Sequence, residues 1–412
     1  SASNQPGNDD ASIMVRGQGT LNDASPLIII DGVESSINSV NPQDIESMSI
    51  LKDAASAAIY GSRAANGVIL ITTKQGKSGT LKLDYNGYVS FESIRKTLTP
   101  VSNYADYMEY MNEGFRNSGE AEKFSQDMIN AWRNGTDPLL YPNTDWLDKT
   151  FKSSAATNHT VSVSGGSENV RIYSSFGYLN NPGVMENSGQ EKYSARINID
   201  ADIRPWLKVG ANLNGYYQTL DVGTDNINNV FTYASATTPG MVFRAPDGRY
   251  GAMNNVEDDA QSANNNPLKR LNEIDGDYQK HNIRARFYGT ITPFKGLSIT
   301  ASYNYDFIDD QREATPVFID GWNFLTNTIA SVGTGKSWAG RRNEKTKRHF
   351  GDIVANYTNR FVNDRLSVNI MAGASQEQYL WKYFGAQKYD LIDLNLTAIN
   401  AATGDAEAGG YS

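Results

Sequence analysis

Three histidines, His159, His281 and His349, are the first residues to weigh for acid–base or metal chemistry. They stand far apart, and none falls in an HxxxH or HExxH spacing that would bring two imidazoles onto one helical face. Each lies on or beside a stretch with strand character and is expected as a wall or interface residue. The paired acids Asp258-Asp259 and Asp309-Asp310 offer two carboxylates, the minimum for general acid–base work. Their polar surroundings read as long solvated loops, where charge is usually just hydrated. Asp221–Asn229 spaces Asp and Asn as calcium ligands are spaced, but lacks the glycine and terminal glutamate of an EF-hand loop; a loop-stabilising calcium ion stays open as an alternative and no EF-hand is assigned. Cysteine is absent, which removes disulfides, thiolate metal sites and thiol nucleophiles. No GxGxxG or Walker pattern occurs, so Gly17, Gly32, Gly61 and Gly67 read as turn glycines. The expectation is a protein that is not an enzyme and holds no cofactor or metal.

The elements around these residues fall into two blocks. In the first, about 12–76 after a flexible start at 1–11, strands are expected at Ile13–Val15 and Leu27–Ile30, with a turn at Asp31-Gly32 and a helical turn after Asn41-Pro42. Asp53 is a helix N-cap by type, Ala54–Ala58 a good helix former and Gly61 a helix stop. Arg63–Gly67 would bend the chain into the β-branched strand Val68–Thr73. These strands are continuous apolar runs, the pattern of burial on both faces, so this block is a small α+β domain.

From residue 77 to 412 the pattern changes to strict alternation. Leu81, Leu83, Tyr85, Val89 and Phe91 alternate with polar neighbours, and the same period of two recurs at 193–203, 207–217, 283–291, 297–307 and 366–374. With weaker runs near 157–165, 170–180 and 350–360, about nine strands of roughly ten residues emerge, the length of a tilted membrane strand. Tight turns near 165–169, 204–206, 293–296 and 362–364 alternate with long polar loops at about 96–155, 181–190, 221–280 and 310–347. Short turns at one end and long loops at the other is the plan of an outer-membrane barrel. In the first long loop, Met108, Met111 and Phe115 have helical spacing behind Ser102-Asn103, and Glu122–Trp132 forms a second helix, the pair acting as a lid or rim. The apolar runs Leu27–Ile30 and Val68–Ile71 are far too short for a membrane helix. A net charge of −9 argues against a nucleic-acid partner. No signal peptide is visible in Ser1–Asp10.

Val15-Arg16-Gly17, Pro26–Val33, Asn41-Pro42 with Ile45-Glu46-Ser47, and Leu51–Lys74 resemble the plug domain of SusC/RagA-type TonB-dependent transporters of Bacteroidota. Weaker barrel matches are Asp145-Trp146, Asn158-His159, Gly165-Gly166-Ser167 and Ser194–Asn198. The resemblance implies a 22-stranded antiparallel membrane β-barrel with an α+β plug in its lumen, of which about nine strands are present here, and hence a fragment of a larger protein. An open sheet of nine strands would leave unpaired edges in lipid.

The resemblance further implies import of a nutrient across the outer membrane of a Gram-negative bacterium, with a SusD-like surface lipoprotein as lid and the inner-membrane TonB complex as motor. The cargo expected is an oligosaccharide, with an oligopeptide importer or a non-transporting adhesion or anchor barrel as alternatives, and a soluble β-rich glycan-binding protein as a third class. A dimer of transporter–lid pairs is an arrangement it allows. For gating, Arg16, Asp31, Arg63, Asn66 and Gly67 are the candidate plug residues, because charged groups buried against a wall must be paired and such contacts rearrange under force. For substrate contact, Phe243, Tyr250, Trp322 and Trp338 lie in long loops where aromatic faces can stack on sugar rings. Trp206 and Trp381 are expected in the interfacial belt.

Overall fold

The computed structural model describes residues 25–52, 64–95, 98–221, 227–252, 266–361 and 366–411, together with Pro6 and Gly223. Arg16, Arg63 and the helix expected from Asp53 to Gly61 lie outside the described residues, as do Ile13–Val15, Asp258-Asp259 and the turn at 362–364.

The small domain is a four-stranded sheet in the order β2-β1-β4-β3, built from β1 (Leu27–Ile30), β2 (Val33–Glu34), β3 (Ile45–Leu51) and β4 (Val68–Thr73). β1 and β4 run parallel, with Leu27 opposite Val68 and Ile30 opposite Ile71. Their side chains fill both faces: Leu27, Ile29, Ala64 and Val68 pack on one, Ile30, Val40, Ile69 and Ile71 on the other. That is what the unbroken Leu-Ile-Ile-Ile and Val-Ile-Leu-Ile runs require. Gly67 feeds β4 with φ +96, donating its N–H to Ala64 O at 2.9 Å and accepting from Leu27 N–H at 3.0 Å. A β-branched side chain is strained by about 1–3 kcal/mol at that dihedral. Gly67→Val is therefore expected to loosen the small domain, read as faster amide exchange in β1 and β4, with the large sheet still heat-modifiable on gels. Loss of the whole barrel would contradict the division into two units.

The large sheet is a ten-stranded antiparallel meander in which every neighbour in sequence is a neighbour in space. Its strands are β5 (Gly79–Glu92), β6 (Ser154–Gly166), β7 (Val170–Asn181), β8 (Gln190–Arg204), β9 (Leu207–Asp221), β11 (Ile274–Phe294), β12 (Leu297–Pro316), β15 (Trp338–Phe361), β16 (Leu366–Tyr389) and β17 (Ala406–Tyr411). The nine expected strands are all present, and six-residue β17 is a tenth. They run longer than ten residues, from 12 in β7 to 24 in β15. The added length lies at the long-loop end of β11, β12, β15 and β16; in the first three both faces turn polar there, and in β16 aromatic and apolar residues fall on both, so the alternation disappears although the ladder continues. The loops expected at 221–280 and 310–347 contract accordingly to 222–273 and 317–337. Asp309 and Asp310 thus sit on β12, not in a loop, and as successive strand residues they face opposite sides of the sheet.

The sheet is inside out for water. Its buried face carries Arg196, Asn198, Asn212, Arg284 and Asn304, while Ile197, Leu213, Ile283, Phe287 and Ile353 stand out on the other. Asn198 is 0% exposed and Ile283 56%. A polar interior behind an apolar exterior is stable only where the exterior meets lipid. Aromatic rings mark one limit of that lipid-facing band. Tyr85, His159, Tyr178, Tyr193, Tyr217 and His281 form a chain of ring contacts across six neighbouring strands, with centroids 4.9–6.5 Å apart. On β12 and β15 a separate group of rings, Tyr303, Tyr305 and His349, stands on the same face four residues nearer the tight turns. At the tight-turn end Trp206 and Phe294 are exposed. Tyr193 and Trp206 are about thirteen residues apart, roughly 43 Å of strand or 30 Å of membrane height at a 45° tilt, which is the thickness of a hydrocarbon core. All three histidines belong to these outward rings. Trp381 does not: it pairs with Thr346 in register and donates its indole N–H to Glu344 at 2.8 Å, above the band and on the opposite face.

The long loops share cores of their own. α1 (Tyr104–Asn117), capped by Asn103, and α2 (Gln126–Asn134), capped by Ser125, pack through Tyr104, Met108, Phe124, Ile129 and Trp132. The second helix starts at Gln126, four residues later than expected, because Ser125 supplies the acceptor for Met128 N–H. α3 (Trp146–Thr150), α4 (Ile227–Ala236) and α5 (Pro267–Leu271) meet over Trp146, Leu147, Met185, Val230 and Leu271, residues from four separate segments. β10 (Tyr250–Gly251), β13 (Gly321–Asn323) and β14 (Thr328–Ser331) form a third small sheet. No described helix is long and apolar enough to cross a membrane.

Candidate functional site

The small domain lies against the polar face of the large sheet, and the contact is built from charged and polar groups. Its centre is the hairpin Asp31-Gly32 between β1 and β2. Both residues take positive φ, +50 and +86, the requirement of a type I′ turn, which suits Asp followed by Gly. That turn aims the Asp31 carboxylate sideways onto the end of β4. Oδ1 accepts the Thr73 N–H at 2.9 Å and Oδ2 the Thr73 hydroxyl at 2.7 Å.

Arg196 from β8 closes the arrangement from the wall. Its Nη1 is 3.3 Å from Asp31 Oδ2 and 3.2 Å from Thr73 Oγ1, and its Nε is 3.4 Å from Asp44 Oδ2. One guanidinium, 3% exposed, thus serves two carboxylates from different parts of the small domain. Asp44 is also held by the Tyr173 hydroxyl at 2.9 Å, and Arg286 donates to the Asp31 carbonyl at 2.5 Å. Asn198 donates to Thr73 Oγ1 at 3.1 Å and to the Lys74 carbonyl at 2.8 Å.

Further contacts follow the same plan. Asn41 reaches Thr160 at 3.0 Å, Lys192 reaches the Asn38 carbonyl at 2.6 Å, and Arg284, paired with Asp306 at 2.8 Å, touches Ser39 at 3.4 Å. Arg348 bridges Glu34 at 2.7 Å and Glu377 at 2.5 Å. Five wall strands, β6, β7, β8, β11 and β15, hold the domain this way. Such contacts contribute only about 0.5–3 kcal/mol each net of desolvation while both partners are present, yet they fix position, and they can be exchanged for water. An apolar seam of the same area would not come apart so easily.

Of the expected plug residues, Asp31 is at the centre of this junction. Asn66 and Gly67 are not: they lie at the opposite end of β1 and β4, where Asn66 donates to the Ser25 carbonyl at 3.5 Å, and they shape the approach to β4. The alternation signal placed Arg196 and Asn198 on a polar face but did not pick them out from the other polar residues there. Asp44, Thr73, Arg284, Arg286 and Arg348 had no signal beyond that alternation or a place in the plug.

The four loop aromatics separate. Phe243 packs on the Trp146 cluster with Lys149 over its ring at 5.1 Å. Tyr250 lies under Arg244 at 5.6 Å, and Trp322 under Arg249 at 4.4 Å. The backbone N–H and guanidinium of Arg249 hold the neighbouring Asp247 carboxyl below the usual carboxylate range. Those three rings already have partners that brace the loops. Trp338 stands apart from them at the start of β15. Among the described residues no group of three or more His, Cys, Asp or Glu is placed to hold a metal ion, and the run expected to suit calcium, Asp221–Asn229, lies partly outside them.

Comparison with known proteins gives these features a context. Residues 1–68 match the family model for the TonB-dependent Receptor Plug Domain. The chain is 32% identical over 359 residues to TonB-dependent receptor P26 of Formosa agariphila, covering 84% of this chain and 34% of that protein. It is 35% identical over 229 residues to TonB-dependent receptor SusC of Bacteroides thetaiotaomicron, covering 52% of this chain and 21% of SusC. In structure it is similar to the RagAB peptide importer in its open-open state, at 22% identity and a TM-score of 0.77, covering 97% of this chain and 46% of that one. The chain spans about a third of the length of curated relatives such as P26. With a plug domain at its start, this likeness to SusC and its relatives and a RagAB-like fold, the chain belongs to the SusC/RagA-type TonB-dependent receptors, β-barrel proteins of the outer membrane of Gram-negative bacteria.

Proposed function

We propose that this chain is the gate-bearing part of a TonB-dependent importer, working with a SusD-like lipoprotein lid outside the cell and TonB beneath it. The observation that carries the reading is the seam between plug and wall: one buried guanidinium, Arg196, holds Asp31 and Asp44, and the contacts around it are polar and exchangeable. A plug meant only to brace a barrel gains nothing from a seam that water can replace. A plug that must move does. The cargo on this reading is an oligosaccharide. The second reading, an oligopeptide, is favoured by the likeness in fold to RagAB, a peptide importer.

The test is a reversible lock. Asn41 of the plug and Thr160 of β6 touch at 3.0 Å, and the chain has no native cysteine. In the full-length protein, Asn41→Cys with Thr160→Cys, joined by a short reducible bis-thiosulfonate, is expected to abolish growth on the imported nutrient, with growth returning on reduction. Uptake that continues through the crosslink would rule out plug movement as the gate. Panels of glycans and peptides, acidic and neutral, offered to the purified protein with its lid then decide the cargo, and binding of peptides alone would remove the glycan reading.

A further inference from the structure

Above the aromatic girdle, β11, β12, β15 and β16 stand clear of the membrane, and their register lays out a wall facing the lumen. The ladder is continuous from Arg284, Asp306 and Arg348, which face the plug, up to the strand tops. Alternation therefore keeps the even-numbered residues of β11, β12 and β15 on the lumenal side. One row there sets Arg312 directly opposite Arg342. Like charges directly opposed across an antiparallel pair repel, so this juxtaposition costs stability unless something anionic comes between them. Arg342 has Glu344 at 3.1 Å and the Tyr383 ring at 5.1 Å. Arg312 has no hydrogen-bonded or ion-paired partner among the described residues. Asp310 and Glu344 occupy the row below, Asp310 taking the Tyr278 hydroxyl at 3.5 Å.

The row above is nearly bare. Gly276, Ala314, Gly340 and Gln387 follow one another in register, so backbone forms the floor of a trough. Beyond it Trp338 pairs with Tyr389, with Lys336 over the tyrosine ring at 5.3 Å. Two open cavities, of about 340 Å³ beside the arginines and about 520 Å³ beside Trp338, lie on either side of Gln387, which lines both. Glu407 lines the arginine end without pairing to either guanidinium.

We infer that this trough binds substrate through a negatively charged oxyanion, a carboxylate or sulfate, held by Arg312 and Arg342 while the adjoining ring or chain lies over Gly340 toward Trp338. Paired guanidiniums present parallel N–H donors to a planar or tetrahedral oxyanion. The small-residue row supplies clearance and the aromatic row a face. Such a group occurs on an acidic sugar or on an acidic or C-terminal peptide residue, and the chemistry at the arginines is the same for both. The biological role rests on the import reading, but the binding itself does not.

The experiment uses the full-length protein with its lid in detergent, at low salt. The probes are a short oligogalacturonate and its methyl ester, and a glutamate-rich peptide with its glutamine counterpart and amidated end. An acidic probe is expected to bind at least tenfold more tightly than its neutral partner, with that preference reduced to less than threefold in the Arg312→Gln, Arg342→Gln double variant. Lys347→Gln, on the outer face five residues below Arg342, should leave the preference intact. Preference for the acidic sugar or the acidic peptide identifies the source of the oxyanion. Equal binding of acidic and neutral probes, no binding of any, or a preference that survives the double variant while heat-modifiability is normal would each overturn the inference. Failure of the crosslink lock with the arginine-dependent preference preserved would remove the import reading and leave the binding site standing.

Discussion

Replacing Arg196 with alanine is expected to unseat the plug while the barrel stays in the membrane. The substitution leaves Asp31 and Asp44 facing a wall with no guanidinium between them, both carboxylates being nearly buried. Removing one partner of a buried ion pair costs about 3–5 kcal/mol, most of it the uncompensated charge left behind. The measurement is amide exchange in β1 and β4 of the reconstituted protein, expected to quicken by two orders of magnitude or more (roughly 1.4 kcal/mol per decade). Passage of bulky antibiotics that the outer membrane excludes should rise in parallel. Restoring neutrality supplies the internal check. In the Arg196→Ala background, Asp31→Asn with Asp44→Asn should recover part of the loss, because residues of one network are coupled and not additive. Arg204→Ala, an exposed arginine whose guanidinium bonds only the Ile203 carbonyl among the described residues, should change nothing. Unchanged exchange in Arg196→Ala would mean the plug is seated by shape alone.

Much of this was legible in the sequence because two periodicities differ so sharply. Unbroken Ile28-Ile29-Ile30 and Val68–Ile71 can only be buried on both faces, and they are. The alternation at 193–203 and 207–217 fixes which residues share a face, and the register of β8 with β9 follows from it: Ile197 opposite Leu213, Arg196 opposite Asn214. What alternation cannot carry is which medium each face meets and how far a strand continues once both faces are polar. Trp338 and Arg312 look like loop residues for that reason, and only the ladder places them on a wall.

The junction was half legible for a related reason. Asp31-Gly32 announces its own turn, since few pairs but Asp-Gly and Asn-Gly tolerate two positive φ values. Its partner is 165 residues away on a strand where Arg196 is one polar residue among many. No local pattern singles out the arginine that meets a carboxylate after two separate domains have docked. The histidines teach the converse. Their wide separation argued against a metal site, and pairing across strands then set His159 and His281 in one row of outward rings, with His349 in a second group on the same face.

The adjacent pair Arg286 and Phe287 tests the assignment of the two faces most directly. Arg286 donates to the plug through the Asp31 carbonyl, while Phe287, 51% exposed, points away from it about midway between His281 and Phe294. If the exposed face meets water, Phe287→Arg is an ordinary surface change, within about 0.5 kcal/mol of neutral. If it meets hydrocarbon, a guanidinium at mid-depth costs about 2–4 kcal/mol. That range lowers the folding equilibrium constant by roughly 30- to 800-fold (1.4 kcal/mol per decade). The expected result is a urea midpoint in lipid vesicles shifted well below that of the parent protein, and a smaller heat-modifiable fraction on gels. Arg286→Phe should do the reverse, leaving the barrel's midpoint near the parent value while amide exchange quickens around Asp31. The two neighbours would then fail in different places, one in the membrane and one at the plug. A Phe287→Arg protein as stable as its parent would mean that the apolar face is not in lipid.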